Sequence, residues 1–143
     1  MRSGPRSLCP VNVAVEILGD RWTLLVLRDL MLKGRVTFKS MVEAEEGIAT
    51  NILADRLSRL EAEGIVEKVR DESDGRRVRY GLSEKGLDLA PVLVDMMVWS
   101  ATYYKTAAPP EEIDAMRFNR RRYLAGIRAS APRTVKRHAP SKG

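Results

Sequence analysis

Two polar side chains, Asn51 and Ser58, fall on the same outer face of a predicted helix, with Arg59 beside them. An amide and a hydroxyl group can hydrogen-bond to the edges of bases, whereas basic side chains can hold phosphate oxygens. Two further basic residues, Arg35 and Lys39, precede the helix. This combination indicates a surface that binds duplex DNA through both base edges and phosphates.

A basic ribbon follows this helix directly. Gly64 ends the helix, and residues 66–70 and 78–82 alternate as strands do, around an Asp74-Gly75 dipeptide that is typical of a hairpin turn. A helix followed at once by such a ribbon predicts a winged helix-turn-helix. The expected DNA contacts are Thr50, Asn51, Ser58, Arg59, Lys39, Arg35, Arg76, Arg77 and Arg79. The alternative is a solvated charged face on a helical protein that binds something else.

Two charged residues of the same helix need a separate explanation. A carboxylate at Asp55 would repel phosphates, so it either accepts a hydrogen bond from a cytosine amino group or pairs with Arg59 at i+4, and the pairing is favoured. Arg56 is expected to hydrogen-bond to neighbouring loops instead of to DNA.

Cys9 is the one residue with reactive side-chain chemistry. It directly precedes the first predicted helix, where the helix dipole and Arg6 would lower the thiol pKa and favour the thiolate. A buried, inert cysteine is the alternative. Because the chain has one cysteine, oxidation can give only a Cys9–Cys9 bond between subunits, a mixed disulfide or an adduct.

Signs of catalysis are few. The single histidine, His138, lies in an irregular basic tail, and there is no cluster with metal-ligand spacing, no glycine-rich phosphate loop and no nucleophile motif. The sequence therefore predicts no enzyme activity, no metal site and no cofactor.

Charge is distributed unevenly along the chain. The formal net charge is +6, but residues 117–143 contain nine Lys/Arg and no acid, so the preceding 116 residues carry 16 basic against 19 acidic side chains. The tail is either an additional phosphate-binding arm or a solubilising extension. A single cysteine, no signal sequence and no apolar run long enough for a bilayer predict a cytoplasmic protein without a membrane span.

The elements that position these residues are predicted from apolar periodicity and helix caps. After an N-terminal arm of residues 1–10, helices are expected at 11–18, 21–33, 38–44 and 50–63. Asp20, Thr37 and Thr50 are the expected N-caps. Gly19 and Gly34 are expected to be left-handed C-caps.

The segment after the ribbon, residues 84–104, reads as a long helix that is apolar nearly all round, with Pro91 bending it or splitting off its first turn. A second apolar stripe requires a second partner. One further helix is expected after Pro109-Pro110, with Ile113, Met116, Tyr123, Leu124 and Ile127 on one side. Residues beyond Ser130 are expected to be disordered.

The sequence resembles HxlR-type bacterial transcriptional regulators. The resemblance covers residues 9–104 and rests on Cys9-Pro10-Val11, Gly19-Asp20-Arg21-Trp22, Leu53-Ala54-Asp55-Arg56-Leu57 and Gly81-Leu82-Ser83-Glu84-Lys85-Gly86. It implies a homodimer formed through the first helix and the long helix after the wing, and a sensing role for Cys9 as in several family members. The implied interface comprises Val11, Val15, Leu93, Met96, Met97, Trp99 and Tyr103.

The expected protein is thus mainly α-helical with a small β-hairpin wing. Its expected parts are the arm, a winged helix-turn-helix domain at 11–104, a helical extension at 105–129 and a basic tail at 130–143. We predict a dimeric regulator, a repressor that binds a pseudo-palindromic operator and responds to a small-molecule, electrophile or oxidant effector. A MarR-type regulator and a winged-helix protein-interaction module are the alternatives.

Overall fold

The computed structural model describes residues 4–70 and 77–132. In that part the chain is mainly α-helical with one two-stranded sheet, as predicted. The elements are α1 Pro10–Leu18, α2 Arg21–Arg28, a π-helical segment Asp29–Lys33, α3 Phe38–Val42, α4 Thr50–Ala62, β1 Val66–Arg70, β2 Val78–Leu82, α5 Glu84–Leu87, α6 Ala90–Tyr103, α7 Pro110–Phe118 and α8 Arg120–Ser130. The predicted Asp74-Gly75 turn lies outside the described residues.

Side-chain caps begin two of the helices where the sequence predicts them. The Asp20 carboxylate accepts a hydrogen bond from the Thr23 N–H at 2.9 Å, and Thr37 forms a reciprocal capping box with Ser40. The prediction for Thr50 was wrong, because Ala49 is the N-cap of α4 and Thr50 is its first helical residue.

The two predicted glycine C-caps differ in their backbone conformation. Gly34 is left-handed, with φ of 64°, and it ends the π-helical segment as predicted. Gly19 is not left-handed, since its φ is −75°. A Cβ at position 19 would lie 2.4 Å from the Val15 carbonyl oxygen, so close backbone approach and not backbone handedness requires glycine there.

The two strands pair antiparallel, from Val66 opposite Leu82 to Arg70 opposite Val78. The second edge of β2 is also hydrogen-bonded: the Tyr80 N–H donates to the Val36 carbonyl at 2.7 Å and the Leu82 N–H donates to the Pro132 carbonyl at 2.9 Å. The edge of β2 that faces away from β1 is therefore held by the loop before α3 and by the residues just after α8.

The predicted long helix is divided into α5 and α6, and Pro91 lies in the first turn of α6, as expected for a proline that splits off a helical turn. The prediction of a single last helix was wrong. It is two helices, α7 and α8, which meet at Asn119, where φ is −124° and ψ is 41°.

One hydrophobic core includes both the winged helix-turn-helix and the C-terminal extension. Leu53, Leu57 and Leu60 of α4 are buried in it. The extension contributes Ile113, Met116, Ile127 and Ala131. Ala131 and Pro132 are thus part of the packed structure, contrary to the expectation of disorder directly after Ser130.

Candidate nucleic-acid interface

Helix α4 has one buried face and one open face. Its three leucines are at most 2% exposed, which fixes the inner face against the core. The opposite face is exposed and bears four of the predicted DNA-contacting residues, Thr50, Asn51, Ser58 and Arg59. Small and polar side chains on an unobstructed helix face are suited to enter a major groove.

Arg56 projects from α4 towards α2 and fixes the position of the helix. Its Nε lies 2.7 Å from Asp20 Oδ2, and its Nη1 lies 2.6 Å from Asp55 Oδ2. The hydrogen bond from Arg56 is the largest cause that lowers the pKa of Asp20 to about 2. Asp20 therefore caps α2 and binds α4 at the same time, and the structural role predicted for Arg56 is confirmed.

Asp55 is neutralised by two guanidinium groups. Besides Arg56, its Oδ2 pairs with Arg59 Nε at 3.0 Å, so the predicted i,i+4 pairing is confirmed. The Arg59 side chain is nevertheless 64% exposed. The carboxylate thus has its charge compensated within α4, and Arg59 still faces solvent.

Arg35, expected to hold phosphate, is engaged elsewhere. Its Nη1 lies 2.8 Å from Asp29 Oδ1 and its Nη2 lies 3.4 Å from Glu45 Oε1. Asp29 is only 3% exposed, and a buried carboxylate requires such partners. The guanidinium of Arg35 thus compensates a buried charge, and its contact with phosphate stays a prediction.

Arg28 extends this ion-pair network to the loop before α4. It hydrogen-bonds to Asp29 and, through Nη2, to Glu46 Oε1 at 2.8 Å. The hydrogen bond from Arg28 is the main cause that lowers the pKa of Glu46 to about 2. Sequence reasoning missed this pair because its members are 18 residues apart and follow no periodic pattern.

The remaining predicted contacts lie on α3 and on the wing. Lys39 is exposed on α3, and Arg77 and Arg79 are exposed at the start of the returning strand. Arg79 is paired in register with Val69 of β1. Arg76 lies outside the described residues, so its place on the wing stays a prediction.

Helix α6 has an exposed apolar face, here the α6 apolar face, formed by Val92, Met96, Trp99 and Tyr103. The Trp99 ring contacts Tyr103 and Tyr104, with centroids 5.9 and 5.8 Å apart. On α1, Val11 and Val15 are also exposed. Two other predicted interface residues pack inward: Leu93 is 7% exposed within the core, and Met97 is partly buried against it.

Cys9 is exposed at the N-cap of α1. Hydrogen bonds from the backbone N–H groups of Asn12 and then Val11 lower the pKa of its thiol. The predicted effect of the helix N-terminus is thus present, whereas Arg6 is not among its causes. An exposed thiol with a lowered pKa can react with electrophiles and oxidants.

Within residues 4–70 and 77–132, no three His, Cys, Asp or Glu side chains are placed to hold a metal ion. In the same ranges no helix combines the length and the apolar character required to cross a membrane. The candidate interaction surfaces of the described residues are therefore the polar face of α4, the basic ribbon and the α6 apolar face.

Comparison with known proteins relates this arrangement to one family. Residues 17–108 match the model of the HxlR-like helix-turn-helix family. A relative in Synechocystis, the uncharacterized HTH-type transcriptional regulator sll1512, is 35% identical over 89 residues, which are 62% of this chain and 65% of that protein. The chain thus spans slightly less than two thirds of this relative.

Solved structures give the same relationship. The crystal structure of PA1607 superposes with a TM-score of 0.64 at 33% identity, covering 73% of this chain and 71% of that one. The reduced form of the regulator YodB from Bacillus subtilis superposes with a TM-score of 0.58 at 35% identity, covering 68% and 95%. A structure of YodB treated with diamide is also similar.

Proposed function

Because the chain belongs to the HxlR-like helix-turn-helix family, we propose that it is a cytoplasmic DNA-binding transcriptional regulator that represses transcription as a homodimer. The observation that supports this most directly is the exposed polar face of α4, with Asn51 and Ser58 at its centre. Its inner face is fixed by the core and by the Arg56–Asp20 pair. Such a preformed helix can enter the major groove without reorganisation.

The wing supplies the second contact. Arg76, Arg77 and Arg79 would hold phosphates or enter the minor groove beside the bases that α4 reads. Lys39, exposed on α3, would hold a further backbone phosphate. Arg35 acts indirectly in this proposal, by keeping Asp29 compensated so that the loop before α4 keeps its shape.

The proposed dimer interface combines the α6 apolar face with Val11 and Val15 of α1. A face that exposes 44–70% of four large apolar side chains is costly in water unless another surface covers it. A second copy of the chain would cover it with the same face. Two α4 helices would then meet the half-sites of a pseudo-palindromic operator.

The same interface would carry the proposed redox response. Cys9 is two residues from Val11, so oxidation or alkylation of its thiol would act at the edge of the proposed dimer contact. A changed angle between protomers would change the distance between the two α4 helices and release the operator.

Gel-shift titrations with the promoter DNA upstream of the protein's own coding sequence test this function. We expect Asn51→Ala to weaken operator binding about tenfold, or about 1.4 kcal/mol for a lost base contact, with little change for unrelated DNA. Thr106→Ala, at an exposed position outside α4, is the control and should bind like wild type. No shift, or one insensitive to salt and sequence, would favour a protein-interaction module instead.

A further inference from the structure

A surface pocket of about 360 Å³ lies between the π-helical segment and α8. The π-helical segment contributes Met31 and Leu32 to its wall. The volume falls in the range of roughly 300–1,000 Å³ that is usual for small-molecule sites. Since α8 lies beyond residue 108, where the family match ends, this pocket depends on the chain's own C-terminal extension.

The wall of the pocket is mainly apolar and is open at one glycine. Met31 and Ile127 are buried, and the partly buried Tyr123 also lines the pocket. Gly126, in the middle of α8, has no atom within 4 Å of where a Cβ would be. A glycine costs a helix roughly 1 kcal/mol relative to alanine, and its φ here is not positive. The helix itself does not require glycine, and the space beside the Gly126 Cα is open.

Of the described residues that line the pocket, Arg122 is the only charged one. Three other arginines of α7 and α8 have partners: Arg117 donates to Thr102, Arg120 pairs with Asp95, and Arg128 pairs with Glu84 and Asp88. Within the described part of the chain Arg121, like Arg122, has none. Among the described residues no group pairs with Arg122 or hydrogen-bonds to its side chain. A cation without a counter-ion at the rim of an apolar pocket is suited to receive an anion with an apolar body.

We propose that this pocket is an effector site for a small aryl- or alkyl-carboxylate. The carboxylate pairs with Arg122 at the rim, and the apolar body lies over Gly126 against Met31 and Ile127. Binding at this pocket is independent of the proposed function, whereas its effect on DNA binding rests on it.

The pocket is connected to both proposed DNA-contacting elements through the π-helical segment. Three residues beyond this segment, the Val36 carbonyl accepts a hydrogen bond from the Tyr80 N–H of β2. Asp29, in the same segment, is paired with Arg28, which holds Glu46 before α4. A ligand that moves Met31 and Leu32 relative to α8 would therefore also displace the wing and α4.

The binding experiment is an NMR titration of the full ¹⁵N-labelled chain with 4-phenylbutyrate and octanoate, with 4-phenylbutan-1-ol as the neutral control. We expect both acids to shift the amide signals of Gly126 and Ser130, and 4-phenylbutyrate to bind about tenfold more tightly than the alcohol because of one charge-assisted hydrogen-bonded pair. Arg122→Gln should abolish this preference while leaving the alcohol affinity unchanged.

Two glycine variants separate filling of the pocket from loss of folding. Gly126→Leu should weaken acid and alcohol about tenfold or more, while Gly126→Ala should bind within about threefold of wild type and be somewhat more stable. Circular dichroism melts establish that both variants fold. The proposal is overturned if neither acid gives a saturable shift at about 10 mM, or if Arg122→Gln and Gly126→Leu bind like wild type.

A gel-shift experiment with 4-phenylbutyrate tests the regulatory effect separately. Operator affinity should fall in the presence of the acid in wild type and stay unchanged in Gly126→Leu. If the acid binds but operator affinity is unchanged, the regulatory effect is refuted and the binding site is not. Failure to bind DNA without any ligand would overturn the proposed function and leave the site intact.

Discussion

Replacing Asp20 should separate its two structural roles. As the N-cap of α2 it contributes about 1 kcal/mol, and asparagine can replace it in this role. The full lowering of its pKa from 3.8 to about 2, of which the hydrogen bond from Arg56 is the largest cause, corresponds to at most roughly 2.5 kcal/mol. Because the Asp20 side chain is 35% exposed, solvent screening reduces this to about 1 kcal/mol. We therefore expect a loss of about 1 kcal/mol for Asp20→Asn and about 2 kcal/mol for Asp20→Ala.

The assay is urea unfolding at pH 7, followed by circular dichroism at one fixed protein concentration because dimer formation would add to the measured stability. Arg56→Met, which keeps the apolar stem, completes a double-mutant cycle with Asp20→Asn. The cycle should give a coupling free energy of about 1 kcal/mol. A coupling near zero, or equal losses for Asp20→Asn and Asp20→Ala, would refute the assignment of both roles.

The pH dependence provides an independent measurement. A depressed carboxyl pKa stabilises the fold above the ordinary value of 3.8, and this contribution is lost as the pH falls towards 2. The difference between wild type and Asp20→Asn should therefore be full at pH 7 and about half as large at pH 3. Glu46 titrates in the same window, but it does so in both proteins and cancels from the difference.

Four further predictions concern single features. Arg76→Ala with Arg77→Ala should weaken binding to operator and unrelated DNA alike and reduce the salt slope by about 2, measured by fluorescence anisotropy; an unchanged slope argues against the wing contacts. Trp99→Asp should convert the dimer into a monomer in light scattering, and an unchanged mass would exclude the α6 apolar face as the interface. Cys9→Ser should abolish release of DNA by diamide, and a preserved response would dismiss thiol sensing. Gly86→Ala should cost about 1–3 kcal/mol in urea unfolding, because its Cβ would lie 2.3 Å from the Ile65 carbonyl oxygen; a loss below about 0.5 kcal/mol would show that the backbone relaxes.

Local features of the chain were predictable because they arise between near neighbours. The 3.6-residue repeat placed Leu53, Leu57 and Leu60 on the buried face of α4 and left Asn51 and Ser58 outside. Alternation and the spacing of the two strands predicted their pairing. Caps at Asp20 and Thr37 were predictable for the same reason, since each bonds to an N–H three residues away.

Errors arose where a residue has two plausible environments and only packing chooses between them. Leu93 and Met96 are both apolar residues of α6, and the sequence placed both at a dimer contact. The core buries Leu93 and leaves Met96 exposed, because α7 and α8 fold back over one side of the helix.

By itself, the sequence determined the order of the elements, the polar face of α4, the hairpin and the family. The tertiary structure decided which charged side chains have ion-pair partners. It engaged Arg35 and Arg56 with Asp29 and Asp20, and it left Arg122 beside a pocket. These outcomes depend on side chains brought together from distant parts of the chain. Local periodicity carries no information about such contacts, whereas burial penalises every charge that does not find a partner.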